Sequence, residues 1–293
     1  MQFYTLGIYE KAMPDALSLE NKLLAAKENG FEFLELCIDQ DSSRQNRLDW
    51  PAKDRADLRH FMSGNAITAT TLSLSALRDF PLGSPDPRRA SHGIGMFKKA
   101  IDLASDLGCR IVLINAYDLF DEESGEETGL RFLTNLDHCT RYAAARGVMI
   151  GLENADRAFG DTVRKTSRLV RKIGSPFLKI YADIGNVANA CAQYREDPLS
   201  DLDSGLGMIA AVHLKDTLPG RYRFVRFGEG HVSFGPCISR LMQAGVGLYT
   251  AELFGTEGTD WRAEMQFVHG FLRTHFLAPA RPGDQRRQEG VDP

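Results

Sequence analysis

Four ionisable residues in the second half of the chain each close a short apolar run. They are Glu153 in VMIGLEN, Asp183 in LKIYADIG, His213 in IAAVHLKD and Glu252 in LYTAELF. Three carboxylates brought to one point repel one another unless a cation lies between them. With one imidazole added, they make an oxygen-rich divalent metal site. The ligand set suits Mn²⁺ or Zn²⁺, is compatible with Co²⁺ or Mg²⁺, and is the wrong chemistry for a soft thiolate site.

Polar residues that would share the same end of the molecule surround this set. Lys215 follows His213 by two positions, so strand alternation aims it to the same side. The stretch GRYRFVRFGEG offers Arg221, Arg223 and Arg226 before Gly228 and Gly230. Guanidinium groups bind phosphate bidentately, and glycines let a backbone approach a ligand closely. A basic surface loop would use the same arginines. Arg78 and Ser84 in LRDFPLGS suit an anion, and Glu10 and Lys11 follow the first apolar run closely enough to line the mouth. His231 sits in a glycine-flanked loop near the same end. His60, His92, His138, His269 and His275 fall in or beside expected helices, where a structural role is the ordinary one.

Positioning four such residues requires a repeating scaffold, and the chain has one. Strand-like runs at 3–9, 31–38, 67–74, 109–116, 148–154, 178–185, 208–216 and 248–254 alternate with helical patterns. The helical patterns cover 18–30, 51–65, 87–108, 126–147, 162–174, 233–245 and 260–276, with a short helical region in 186–202. Consecutive parallel strands need a crossover, and a helix supplies it. Eight such units fit a closed (β/α)8 barrel, a TIM barrel of the α/β class, better than an open sheet. Near-continuous apolar strands agree with a sheet covered on both faces. In such a barrel, chemistry gathers at the C-terminal strand ends, where the four residues stand. The expected organisation is one domain over residues 1–276 and a flexible, disordered tail at 277–293, rich in Pro, Gly and charge.

Composition narrows the partners. The chain has 293 residues and a formal net charge of −4, without the basic excess of a nucleic-acid binder. Five cysteines lie far apart with no close pair, which argues against a disulfide framework or a cysteine zinc site. The N-terminus lacks the basic-then-apolar pattern of a secretory signal, and no apolar run reaches the ~20 residues that span a bilayer. A cytoplasmic protein with reduced thiols and no membrane partner is expected.

Several separated motifs then occur in order: LGIYEKA at 6–12, RLDW at 47–50, FPLGS at 80–84, AYD at 116–118, DIGN at 183–186, AVHLKDTLPG at 211–220 and FGEG at 227–230. In these the chain resembles the xylose-isomerase-like TIM barrels, and within them the L-ribulose-5-phosphate (L-xylulose-5-phosphate) 3-epimerases. The resemblance runs from residue 6 to the eighth helix. It implies a metal held by Glu153, Asp183, His213 and Glu252, with Glu153 and Glu252 as the two catalytic bases of a ketose-phosphate epimerisation through an enediolate. It also implies substrate contacts from Lys215, Arg223, Arg226, Ser84, Arg78 and Glu10, and a homodimer. Alternatives on the same scaffold are an aldose–ketose isomerase, such as a hexulose-6-phosphate isomerase, and a non-catalytic sugar-binding barrel. An apurinic endonuclease would need more histidine ligands. One departure bears on the sugar: relatives carry an S-A-H-R motif after the third strand, where this chain has Ser75, Ala76, Leu77 and Arg78.

Overall fold

The computed structural model describes residues 4–256 and 258–277. Its strands are β1 (Thr5–Tyr9), β2 (Phe33–Ile38), β3 (Thr68–Leu74), β4 (Ile111–Asn115), β5 (Met149–Glu153), β6 (Leu178–Asp183), β7 (Ile209–Leu214) and β8 (Leu248–Ala251). All pair in parallel with their sequence neighbours, and β8 closes on β1, giving the expected barrel. The helices are α1 (Leu19–Glu28), α2 (Ser42–Gln45), α3 (Ala52–Gly64), α4 (Pro87–Leu107), α5 (Glu126–Ala145), α6 (Val163–Ile173), α7 (Ile184–Tyr194), α8 (Pro198–Asp203), α9 (Phe234–Gln243) and α10 (Trp261–Leu277).

Period-two alternation sorts each strand into a greasy face and a face toward the barrel axis. Leu34, Leu36 and Ile38 of β2 join the core under the helices, as do Ile150 and Leu152 of β5, Ile180 and Ala182 of β6, and Val212 and Leu214 of β7. The residues between them point inward. Near the N-terminal end of the strands, Ile111, Leu113, Tyr181 and Ala211 fill the axis as a separate apolar plug. Towards the other end the inward positions turn ionisable. Gly7 is required in β1 because Phe33 crosses the axis there: a Cβ would lie 2.3 Å from its ring.

Local signals set the helix ends. Ser18, Asp86 and Thr162 cap α1, α4 and α6 through their side chains, and Gly108 and Gly174 end α4 and α6 at positive φ. The expected single helical region after β6 is two helices, because Asp183 starts α7 directly and Arg195, at φ 58, breaks it before Pro198 opens α8. Strand β8 stops one residue before Glu252, yet the Glu252 amide still donates to Leu214 O at 2.8 Å and holds the register. Leu277, assigned to the tail from sequence, is the last residue of α10; residues 278–293 lie outside the described residues.

Candidate active site

The four strand-end residues converge. Ligand atoms of Glu153, Asp183, His213 and Glu252 all lie within 4.8 Å of one another. The register explains it: Asp183 pairs with His213 across β6 and β7, and His213 with Thr250 across β7 and β8. His213 Nδ1 is 2.6 Å from Glu153 Oε1 and 3.8 Å from Glu252 Oε2. Asp183 divides its carboxylate: Oδ1 accepts the Asn186 amide at 2.9 Å and caps α7, while Oδ2 turns into the cluster. Lys215 Nζ lies 2.6 Å from Asp183 Oδ2 and 2.7 Å from Glu252 Oε2, but off the line of a hydrogen bond. Both oxygens are therefore buried without an aligned donor.

Electrostatics follow from this crowding. Burial, helped by Glu252 and Glu153, pushes the Asp183 carboxyl above its usual range despite Lys215. Burial would also raise Glu252, but Lys215 and His213 outweigh it and hold that carboxyl low. Burial opposes charge on His213, yet Glu35, Glu153 and Glu252 outweigh it and raise the imidazole well above its ordinary value. Among the described residues, the ion pairs of these three acids are with one lysine and one histidine. Donor types, spacing and the two buried oxygens that lack an aligned hydrogen bond fit a hard divalent cation.

A cavity of about 260 Å³ opens onto the cluster, lined by Tyr9, Arg78, Asn115, Arg223, Phe224 and Phe254 among others. Asn115 Nδ2 donates to Glu153 Oε2, as the register between β4 and β5 requires. Arg78 is stacked over Phe120 at 5.1 Å and its Nε has no hydrogen-bond partner. Burial disfavours the charge on Arg78, but Tyr117 and Asp156 outweigh it. Phe224, at φ 57 and 59% exposed, packs on Phe254 with ring centroids 5.6 Å apart, and the pair walls this cavity off from a neighbouring one.

Comparison with known proteins fits this architecture. Residues 23–274 match the model of the xylose isomerase-like TIM barrel family. The chain belongs to that family. It is 34% identical to the L-ribulose-5-phosphate 3-epimerase UlaE of Escherichia coli (strain SMS-3-5 / SECEC), over 92% of this chain and 93% of the relative. The same identity holds to the UlaE of Salmonella heidelberg (strain SL476), over 93% of this chain and 95% of the relative. Among solved structures, D-psicose 3-epimerase with D-tagatose from Clostridium cellulolyticum H10 superposes with a TM-score of 0.77 at 16% identity, covering 94% of this chain and all of that one (100%). At that identity the likeness speaks for the fold.

Within this family frame, the other expected site residues divide. Arg78, Arg223 and Lys11 line the central cavity. Lys215, expected at the phosphate, instead stands inside the ligand cluster between Asp183 and Glu252. Arg226 lines the neighbouring cavity, where it pairs with Glu264 at 3.1 Å. Arg221 donates to the carbonyls of Arg223 and Phe224 and braces their loop. Two expectations are corrected. Glu10 is fully buried, held by Arg47 at 2.6 Å, by Lys22 at 3.2 Å and by the Cys37 amide at 2.9 Å, so it does not line the mouth. Ser84 is buried in the turn before α4, where its hydroxyl accepts the Asp86 amide at 3.2 Å. The glycine pair serves the protein itself: Gly228 and Gly230 amides donate to Asp216 Oδ2 at 2.8 and 2.9 Å, and a Cβ on Gly230 would strike that carboxylate. His231 Nε2 rests 3.0 Å from Thr217 Oγ1.

Sequence reasoning missed Asn115, Asp156 and Glu35. Asn115 ends β4 in register with Glu153, a position the same strand-end rule could have flagged. Asp156 accepts the Tyr117 hydroxyl at 2.5 Å and faces Arg223 at 3.8 Å. Glu35 is an acid in the middle of the apolar run FLELCI, and that mismatch was its signal.

Proposed function

We propose that this barrel is a metal-dependent 3-epimerase of a ketose phosphate, interconverting L-ribulose 5-phosphate and L-xylulose 5-phosphate. The observation that carries the reading is the convergence of Glu153, Asp183, His213 and Glu252 in a chain 34% identical to enzymes of that name. A divalent cation, Mn²⁺ or Zn²⁺, held by these four residues would supply Lewis acidity toward the sugar's carbonyl oxygen.

Inversion at C3 needs a base on each face of the sugar. Glu153 comes from β5 and Glu252 from just past β8, the outer strands of the arc, with Asp183 and His213 between them. One carboxylate takes the C3 proton and leaves an enediolate. The other returns a proton to the opposite face. Asn115 fixes the outer oxygen of Glu153. Arg78, with an unpartnered Nε, and Arg223 are the groups assigned to the phosphate, with Lys11 beside them. Phe224 and Phe254 restrict water at the opening. The same reading carries a cytoplasmic homodimer, and light scattering checks the dimer. The described residues contain no helix long and apolar enough to cross a membrane, and the five cysteines are free and buried.

The test incubates metal-loaded protein in deuterium oxide with each of the two pentulose phosphates and follows them by NMR. Interconversion with deuterium entering at C3 is expected. An aldose product would move the assignment to an aldose–ketose isomerase, and inertness toward every ketose phosphate tried would end the catalytic reading.

A further inference from the structure

One buried carboxylate next to the cluster is not among its ligands. Glu35 projects from the middle of β2 onto the barrel axis and is fully buried. Its Oε1 lies 2.5 Å from His213 Nε2, on the side of the ring away from Glu153 and Glu252. Its Oε2 accepts from Thr71 Oγ1 at 2.6 Å and from the Tyr181 hydroxyl at 2.9 Å. Tyr181 is held in turn at 2.7 Å from Thr250 Oγ1. Neutral hydroxyls hold one oxygen, and among the described residues the ion pair of the other is with His213. A carboxylate buried this deeply is costly unless its partner carries positive charge or donates a strong hydrogen bond.

That arrangement decides how the imidazole is used. A ring that donates Nε2–H to Glu35 presents Nδ1 to the cluster, and cannot rotate without losing the bond. Glu35 itself cannot swing away, because Thr71 and Tyr181 hold its far oxygen from two other strands.

We propose that Glu35 is a positioning residue for the metal centre: it locks His213 so that Nδ1 serves as ligand. The inference rests on the metal-dependent reading given above. A carboxylate hydrogen-bonded to a ligating histidine typically contributes 10- to 100-fold in metal affinity or activity, and a loss of about that size is expected here.

The experiment titrates metal-stripped protein with Mn²⁺ by calorimetry, comparing wild type, Glu35→Gln and Tyr181→Phe. Glu35→Gln should bind Mn²⁺ about 10- to 100-fold more weakly. In the stripped, ¹⁵N-histidine-labelled protein, the strongly deshielded Nε2–H resonance of His213 should move upfield, a change that loss of packing alone does not produce. Tyr181→Phe keeps the acid and removes one of the two hydroxyls on its far oxygen, leaving Thr71, so a smaller loss of affinity is expected, and this variant carries the test should Glu35→Gln not fold. Equal affinity in wild type and the folded variants would overturn the role of Glu35 while leaving the metal centre standing. A wild type that takes up neither Mn²⁺ nor Zn²⁺ would overturn both.

Discussion

Two groups of buried ions stand at the same end of this barrel, and they are built on opposite principles. On the β1–β2 side, Glu10 sits between Arg47 and Lys22, and Asp39 between Arg44 and Lys11. Both oxygens of each acid meet a donor. On the β5–β8 side, three acids share one lysine and one histidine, and two oxygens are left without an aligned donor. The first group is chemically finished and acts as a clamp, tying β1 to the segment 42–50. The second is unfinished, and its deficit of positive charge is what a cation can complete. Burial and acidity are common to both; completeness of pairing separates them.

The sharpest way to break the contrast is to remove one acid from each side. Glu153→Gln should lower kcat by about 10³-fold or more, the scale expected for a lost general base, and should weaken Mn²⁺ uptake, with little loss of thermal stability. Steady-state kinetics and metal analysis check it. Glu10→Gln should do the reverse: about 3 kcal/mol of stability lost, because Arg47 and Lys22 are left facing a neutral group, with Mn²⁺ affinity unchanged. Denaturant melts beside calorimetry decide this. A loss of metal binding from Glu10→Gln would erase the distinction.

Smaller effects sharpen it further. Arg78→Lys should raise KM about tenfold, near 1.4 kcal/mol, for a phosphorylated ketose and leave the unphosphorylated sugar unaffected, since only the planar fork offers Nε. Equal losses on both sugars would place Arg78 outside the phosphate's reach. The smallest effect concerns pH. Burial raises the Glu10 carboxyl, but Arg47, Lys22 and the Cys37 amide outweigh it and hold its pKa below the usual range. A carboxyl depressed on folding stabilises above its unfolded pKa, about 4.3, and that contribution is lost as pH falls through the folded value. Wild type should therefore shed melting temperature below about pH 4 more steeply than Glu10→Gln does.

The legible part of this molecule is the part governed by short-range pattern. Each of the eight strands was readable because its apolar run is bounded by helix signals, and Glu153, Asp183, His213 and Glu252 stood out because each ends such a run. Glu10 ends a run too, and nothing local distinguishes it. Its fate is decided by Arg47, 37 residues on. Glu35 was hidden for the same reason: an acid inside a strand declares a partner but does not name it, and His213 lies 178 positions away. Lys215 was placed on the correct face by alternation, but only the barrel's closure shows that Asp183 and Glu252 meet it there. The glycines of FGEG pointed to a close approach, and the approaching group is Asp216 of the protein itself.

Asp183 serves two masters. The oxygen that caps α7 ties the ligand cluster to a helix whose Asn189 side chain accepts the Gly220 amide at 2.7 Å, at the start of the loop carrying Arg223 and Phe224. Thr217 fastens the same loop to Gly185 O at 3.1 Å. The carboxylate at the floor of the well and the loop bearing the aromatic doorway are thus anchored to the same first two turns of α7.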